Sequence, residues 1–181
     1  RGLTHALAVG INYTSNDTFA NLNVAESDAA AVAAFFRSAA GGASERTTLL
    51  TGREATRAAI RAAVEALRNT SPQDTVVFYF AGHGIDQEGE TYLVPVDATA
   101  RLALDGLSAS AMRQLWSEVP AQRKVFIADA CHTGGFVGLR SDGAAADYDA
   151  LFRGTGTANF LAAERDQTAK EDATRGHGVF T

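Results

Sequence analysis

Short, unbroken apolar runs alternate along the chain with stretches whose apolar residues recur at helical spacing. Residues 5–11 (HALAVGI) form the first run, which ends at Gly10 and Asn12 and reads as a buried strand. Residues 12–23 are rich in Asn, Ser, Asp and Thr and read as a loop. Residues 27–39 are alanine-rich, with Val32, Phe35 and Phe36 at helical spacing, and Gly41-Gly42 ends that helix. A second short strand is expected at 47–50. Residues 56–68 (TRAAIRAAVEALR) set Ile60, Val64 and Leu67 on one face and arginines on the other, an amphipathic helix. Residues 75–80 (TVVFYF) give the strongest strand signal, entered from Ser71-Pro72-Gln73-Asp74 and left through Gly82-His83-Gly84. A short extended piece follows at 91–96, closed by Pro95 and Asp97, then a helix at 108–116 with Ser108 as N-cap. Residues 124–130 (KVFIADA) are another buried strand that runs straight into Cys131. Residues 134–153 carry Gly, Ala, Ser and Asp without periodicity, a loop long enough to suggest a functional role. A short strand is expected at 159–163, a polar stretch at 164–178, and a new apolar run at 178–181.

Strands alternating with helices imply an α/β fold, a mostly parallel sheet covered on both faces. The 181 residues fit a single domain spanning 1–181. A hydrophobic fraction of 46% and a charged fraction of 20% are ordinary for a soluble globular protein. The net charge of −5 lacks the basic excess of a nucleic-acid binder, so no nucleic-acid partner is expected. One cysteine excludes an intrachain disulfide. No apolar run approaches a membrane span and no signal peptide is visible, so no membrane partner is expected and the expected location is cytoplasmic.

The chemistry concentrates where two strands end. In sheets of this kind, sites lie beyond the carboxyl ends of the strands. One strand delivers Ala81-Gly82-His83-Gly84 and the other Asp129-Ala130-Cys131-His132. If those strands are neighbours, His83 and Cys131 emerge side by side. A thiol is nucleophilic as the thiolate, and a nearby imidazole can take its proton and later return it to a leaving amine. The backbone N–H groups of Gly84 and Cys131 are candidates for an oxyanion hole. A lone Cys is often a small buried hydrophobe and a lone His is often structural. The pair, each ending a buried strand in a glycine-rich turn, points to catalysis. His132 follows Cys131 directly and should point to the opposite side, so it is not the expected base.

The segments AGHG (81–84) and DACHTGG (129–135) resemble the His and Cys motifs of caspase-like peptidases. The His lies about 50 residues upstream of the Cys, as in the caspase signature. An Asp two residues before the Cys and a His after it bring the motif closer to metacaspases and their bacterial relatives than to animal caspases. The VGINY start, Asp28, YLVPVDA (92–98) and GVFT (178–181) extend the likeness from about residue 4 to the end of the sequence. The resemblance implies a caspase-haemoglobinase fold with a six-stranded, mostly parallel sheet. It also implies a cysteine endopeptidase that cuts after Arg or Lys through a thioester acyl-enzyme. Asp28 and Asp129 map onto acidic groups of the first specificity pocket, and Ala81 stands where some relatives carry Ser.

Asp129 also has a reading of its own. It should share a face with Cys131, and a carboxylate there disfavours the thiolate unless a substrate cation neutralises it. The plainer alternatives are a strand-end acceptor for Asp129 and a helix-dipole partner for Asp28. Self-cleavage in the long loop, with Arg140 and Arg153 as leading sites, is expected from basic residues near the nucleophile. The sequence stops inside the run that resembles the last core strand, so a domain truncated there is expected. No cofactor or metal site is expected. Some metacaspases are calcium-dependent, but residues 86–90 (DQEGE) lack the ligand spacing of a calcium loop and read as a solvated acidic turn. The expected partners are peptides with a basic residue before the cut, with an activating partner or upstream protease beside them. The competing functions are a partner-gated defence effector of similar chemistry, a catalytically inactive caspase-like scaffold, and a small-molecule Rossmann-like binder. The last is disfavoured because no G-x-G-x-x-G opens the first helix.

Overall fold

The computed structural model describes residues 2–42, 44–129, 156–161, 171–172 and 177–178. Its main sheet is built from β1 (Thr4–Gly10), β2 (Thr47–Thr51), β3 (Thr75–Ala81), β7 (Arg123–Asp129) and β8 (Thr157–Leu161), in the order β2-β1-β3-β7-β8. All four pairings are parallel. The strands at 5–11, 47–50, 75–80 and 124–130 are therefore where the apolar pattern puts them, within a residue or so at each end. The resemblance implies six strands, and five form this sheet among the described residues. Of the run expected at 178–181, residues 179–181 lie outside the described residues. A two-residue strand β10 (His177–Gly178) pairs antiparallel with β9 (Glu171–Asp172).

β3 is the hub. It is central, and every residue after Thr75 is buried, which is why it reads as a continuous apolar run. Its two faces are covered differently. On one, helix α1 (Ala25–Arg37) lays Ala25, Ala29 and Ala33 over Ala8, Tyr79 and Ala81. On the other, α2 (Arg57–Ala66) and α4 (Ala109–Ser117) enclose a larger core that includes Ile60, Val64, Phe78, Phe80, Trp116 and Phe126. Each large side chain buried there contributes roughly 1.5–3 kcal/mol. Ser108 caps α4 by accepting the Ala111 N–H, and Thr56 caps α2 by accepting that of Ala59, each worth about 1 kcal/mol. The Trp116 indole N–H donates to the Thr157 hydroxyl at 2.8 Å and ties α4 to the outer strand.

The pattern does not reveal a small antiparallel sheet of β4 (Gly84–Gln87), β5 (Glu90–Leu93) and β6 (Leu107–Ser108). The acidic turn at 86–90 is the tip of this hairpin. Glu88 and Gly89 both have positive φ, 54° and 81°, as a two-residue type I′ connection requires. Two of the turn's carboxylates are engaged locally: Asp86 accepts the Thr91 hydroxyl, and Glu90 accepts the Ser110 N–H at 3.0 Å. A one-turn helix, α3 (Leu102–Asp105), lies between β5 and β6.

The amino ends of β1 and β3 are joined by Asp74. Its carboxylate accepts the N–H groups of Ser71 at 2.8 Å and Leu3 at 2.7 Å, and the His5 ring lies 3.3 Å away. Those bonds, the Ser71 N–H first, hold its acid dissociation at about 2, below the usual 3.8. A group whose folded value is depressed stabilises the fold fully above the unfolded value and loses that contribution as pH falls through the folded one. Melting temperature followed against pH should therefore drop between about pH 4 and about pH 2 in the wild type. Asp74→Asn should melt lower at neutral pH and show a shallower acid limb. Parallel acid limbs for the two proteins would contradict this assignment.

Candidate active site

β3 lies between β1 and β7, and the three strands end level. Gly10 is in register with Ala81, and Ala81 with Asp129. Side chains in register on neighbouring parallel strands share a face. Ala81 packs in the cluster under α1, so Asp129 lies on the α1 side of the sheet as well. It is half-buried, with the Tyr79 hydroxyl at a long 3.5 Å. Asp28 is on the sheet-facing side of α1 and only 2% exposed. The fold thus brings Asp28, Ala81 and Asp129 to one face at the carboxyl end of the sheet. The burial of Asp28 goes beyond what a helix-dipole role requires, because surface exposure would serve that role equally.

α1 can bring Asp28 there because it packs close. A Cβ on Gly10 would lie 2.3 Å from the Ala25 carbonyl oxygen and 2.6 Å from the Ala29 Cβ. No residue but glycine fits at the end of β1 without moving the helix.

His83 follows β3 by two residues and is 1% exposed. Its Nε2 lies 2.7 Å from the Ala20 carbonyl oxygen. A carbonyl can only accept, so Nε2 carries the proton and the neutral ring keeps its lone pair on Nδ1. The imidazole packs against Tyr13, with ring centroids 4.5 Å apart at 33°, and against Phe19, at 6.3 Å and 38°. The Tyr13 hydroxyl accepts the His83 backbone N–H at 2.8 Å and donates to the Val94 carbonyl at 2.7 Å. Burial pushes this phenol above the usual tyrosine range, with the His83 N–H bond working in the opposite direction.

Tyr13, Phe19 and Ala20 all belong to the segment that reads from sequence as a polar loop. Their one visible signal is two aromatic residues among Asn, Ser, Asp and Thr. The polar residues fasten that loop. The Asn12 N–H donates to Glu26 Oε1 at 3.1 Å, and the Glu26 N–H returns to Asn12 Oδ1 at 3.2 Å. Asn16 Nδ2 donates to the carbonyls of Val96 and Ala98 at 2.8 and 2.9 Å. Tyr13 also lines a concavity of about 260 Å3 over the ends of β1 and β2, bordered by Glu26 and Arg53.

Gly84 opens β4, the edge strand of the small sheet, opposite Leu93. Hydrogen-bonded and non-bonded pairs alternate along an antiparallel ladder. Val94 donates to His83 at 3.0 Å, which makes the next rung, Gly84 with Leu93, a non-bonded one. The Gly84 N–H is thereby turned away from β5. Cys131, His132, Arg140 and Arg153 lie outside the described residues. Among the described residues, no group of three or more His, Cys, Asp or Glu side chains is arranged to hold a metal ion. No helix among them is long and apolar enough to cross a membrane.

A parallel sheet sandwiched by helices, with a buried imidazole just past the central strand, defines an α/β protein of caspase-like architecture. The chain belongs to the caspase-domain family of C14 peptidases, whose match covers residues 3–181. Its fold is similar to the crystal structure of a protein from Geobacter sulfurreducens, with a TM-score of 0.57 and 23% sequence identity. That likeness covers 73% of this chain and 52% of the other, so this chain spans about half the length of that neighbour. No match was found among curated proteins.

Proposed function

We propose that this caspase-family chain is a cysteine endopeptidase that cuts after Arg or Lys, with Cys131 as nucleophile and His83 as general base. The observation that carries the reading is the register of β3 with β7. His83 and Cys131 each stand two residues beyond the in-register pair Ala81 and Asp129. The tautomer set by the Ala20 carbonyl supports the same roles, since it leaves Nδ1 as the basic nitrogen.

In this reading Nδ1 of His83 takes the thiol proton of Cys131, and the thiolate attacks the scissile carbonyl carbon. The developing oxyanion is held by the N–H groups of Gly84 and Cys131. The edge position of Gly84 supports its part in this. While the ring is an imidazolium, the Ala20 carbonyl holds its Nε2 proton and keeps the ring oriented. The tetrahedral adduct collapses as Nδ1 protonates the leaving amine, and a thioester remains. A water deprotonated by Nδ1 then attacks the thioester, and the thiol regains its proton.

Asp129 and Asp28 form the acidic wall of the first pocket and pair with a substrate guanidinium or ammonium. Ala81 offers no hydroxyl there, so recognition rests on the carboxylates. The burial of Asp28 and the shared face of all three residues support this pocket. The Asp-Ala-Cys-His motif supports a metacaspase-like chain of bacterial type. A free catalytic thiol suits a reducing compartment such as the cytoplasm. Self-processing in the loop after Cys131, at Arg140 or Arg153, and control by a partner or upstream protease complete the reading.

The first test is a fluorogenic peptide panel that varies only the residue before the scissile bond. Wild-type protein should cleave after Arg and Lys, and Cys131→Ala should cleave nothing while keeping its fold. Turnover surviving in that variant would remove Cys131 from the nucleophile role. Within the same panel, Asp129→Asn should lower kcat/KM for Arg peptides by about 10- to 100-fold, the worth of one charge-assisted contact. Equal activity of Asp129→Asn and wild type on Arg peptides would end the pocket assignment. Mass spectrometry of the active protein should find cuts after Arg140 or Arg153. An intact chain that still cleaves external peptides would rule out self-processing.

A further inference from the structure

We infer that Tyr13 is a positioning residue for His83, with its hydroxyl spliced into the end of the β4–β5 ladder. The ladder pairs Gln87 with Glu90, Asp86 with Thr91, Ile85 with Tyr92 and Gly84 with Leu93. Continued by one rung, it pairs His83 with Val94. In a complete rung of this kind the two residues exchange both N–H···O bonds. Here one of them is direct, from the Val94 N–H to the His83 carbonyl at 3.0 Å. The other is interrupted. The His83 N–H goes to the Tyr13 hydroxyl at 2.8 Å, and that hydroxyl goes on to the Val94 carbonyl at 2.7 Å.

An inserted oxygen holds the two strands further apart at this rung than a direct bond would. It therefore fixes where the chain leaves β3, and with it the His83 Cα from which the imidazole projects. The same side chain holds the ring by its face, at 4.5 Å between centroids. Tyr13 thus grips both the backbone and the imidazole of one residue.

Two further observations agree with a specific demand at this place. Tyr13 has φ 59°, a left-handed conformation in which tyrosine is uncommon and which costs of order 1–3 kcal/mol. The partner position is Gly82, where a Cβ would lie 2.9 Å from both the Tyr13 hydroxyl and the Phe80 ring. Backbone strain at one residue and a missing side chain at the other both make room for the hydroxyl. An aromatic residue serving merely as core filling requires neither, and phenylalanine would serve as well.

The inference rests on the peptidase reading for its catalytic consequence, though its structural half stands apart from it. The test compares wild type with Tyr13→Phe, which keeps the ring and removes the hydroxyl. The ¹⁵N signals of the His83 ring, assigned with His83→Gln, report its position and surroundings. Cleavage of an Arg peptide reports kcat, KM and the pH profile. Tyr13→Phe should remain folded, shift the His83 ring signals from their wild-type positions, and lower kcat by about a hundredfold with KM within about twofold.

Unmoved ring signals would overturn the inference whatever the activity, and so would moved signals with an unchanged kcat. If the wild type cleaves no peptide and its thiol takes no peptidyl-Arg chloromethyl ketone, the peptidase reading fails on its own, and the ring signals still decide whether Tyr13 sets the imidazole. Should Tyr13→Phe not fold, Gly82→Ala displaces the same hydroxyl and is held to the same two readouts.

Discussion

Everything at the carboxyl edge depends on the ladder that holds β3 between β1 and β7. Seven residues of β3 are in register with seven of each neighbour. A strand buried on both faces cannot leave its peptide groups unpaired, because each such group carries a desolvation cost. Slipping the register would strip bonds from both sides at once. The level ends of the three strands are therefore fixed by the cheapest way to bury TVVFYFA. The positions of Ala81 and Asp129, from which the chain leaves the sheet toward the two sequence motifs, inherit their alignment from that constraint.

The two faces of β3 are packed to different ends. The face under α2 and α4 takes large side chains such as Phe78, Phe80 and Trp116 and supplies most of the apolar burial. The face under α1 is lined by Ala8, Ala25, Ala29, Ala33 and Ala81, with Gly10 at its upper end. Small residues contribute little burial, but they let the helix lie close to the sheet. The alanine bias of the sequence reads at first as helix propensity alone. In the fold it also sets a distance, and that distance brings Asp28 down to the row containing Ala81 and Asp129.

The parallel core was legible because its signals are local. Continuous runs such as residues 75–80, an amphipathic repeat such as Ile60, Val64 and Leu67, and the N-cap Ser108 each declare themselves within a few residues. The β4–β5 hairpin was not legible, since its strands are four residues long and its turn uses Glu-Gly, a weaker signal than Asn-Gly or Asp-Gly. Chemistry followed the same rule. His83 stands out from its flanking glycines and its place after a strand. Tyr13, Phe19 and Ala20 do not, because the residue they act on lies 63 to 70 positions away along the chain. Asp28 falls between these cases: the sequence allowed a dipole partner or a pocket residue, and only the fold shows it buried.

The loop between β1 and α1 joins the His83 surroundings to the α1 face of the sheet. It gives His83 a ring face, a backbone acceptor and a carbonyl partner, and its own ends are tied elsewhere. Through Asn12 and Glu26 it is clamped to the first turn of α1, two residues before Asp28. Through Asn16 it is clamped to the chain at Val96 and Ala98, just past the residue that shares the Tyr13 hydroxyl. One segment therefore packs on the His83 imidazole and anchors the helix that carries Asp28. Hydrogen-bonded clamps of this kind are short and directional, so a shift at one end cannot be absorbed without straining the other. His83 and Asp28 are thereby linked through a stretch of chain that looks, in sequence, like a simple polar connection.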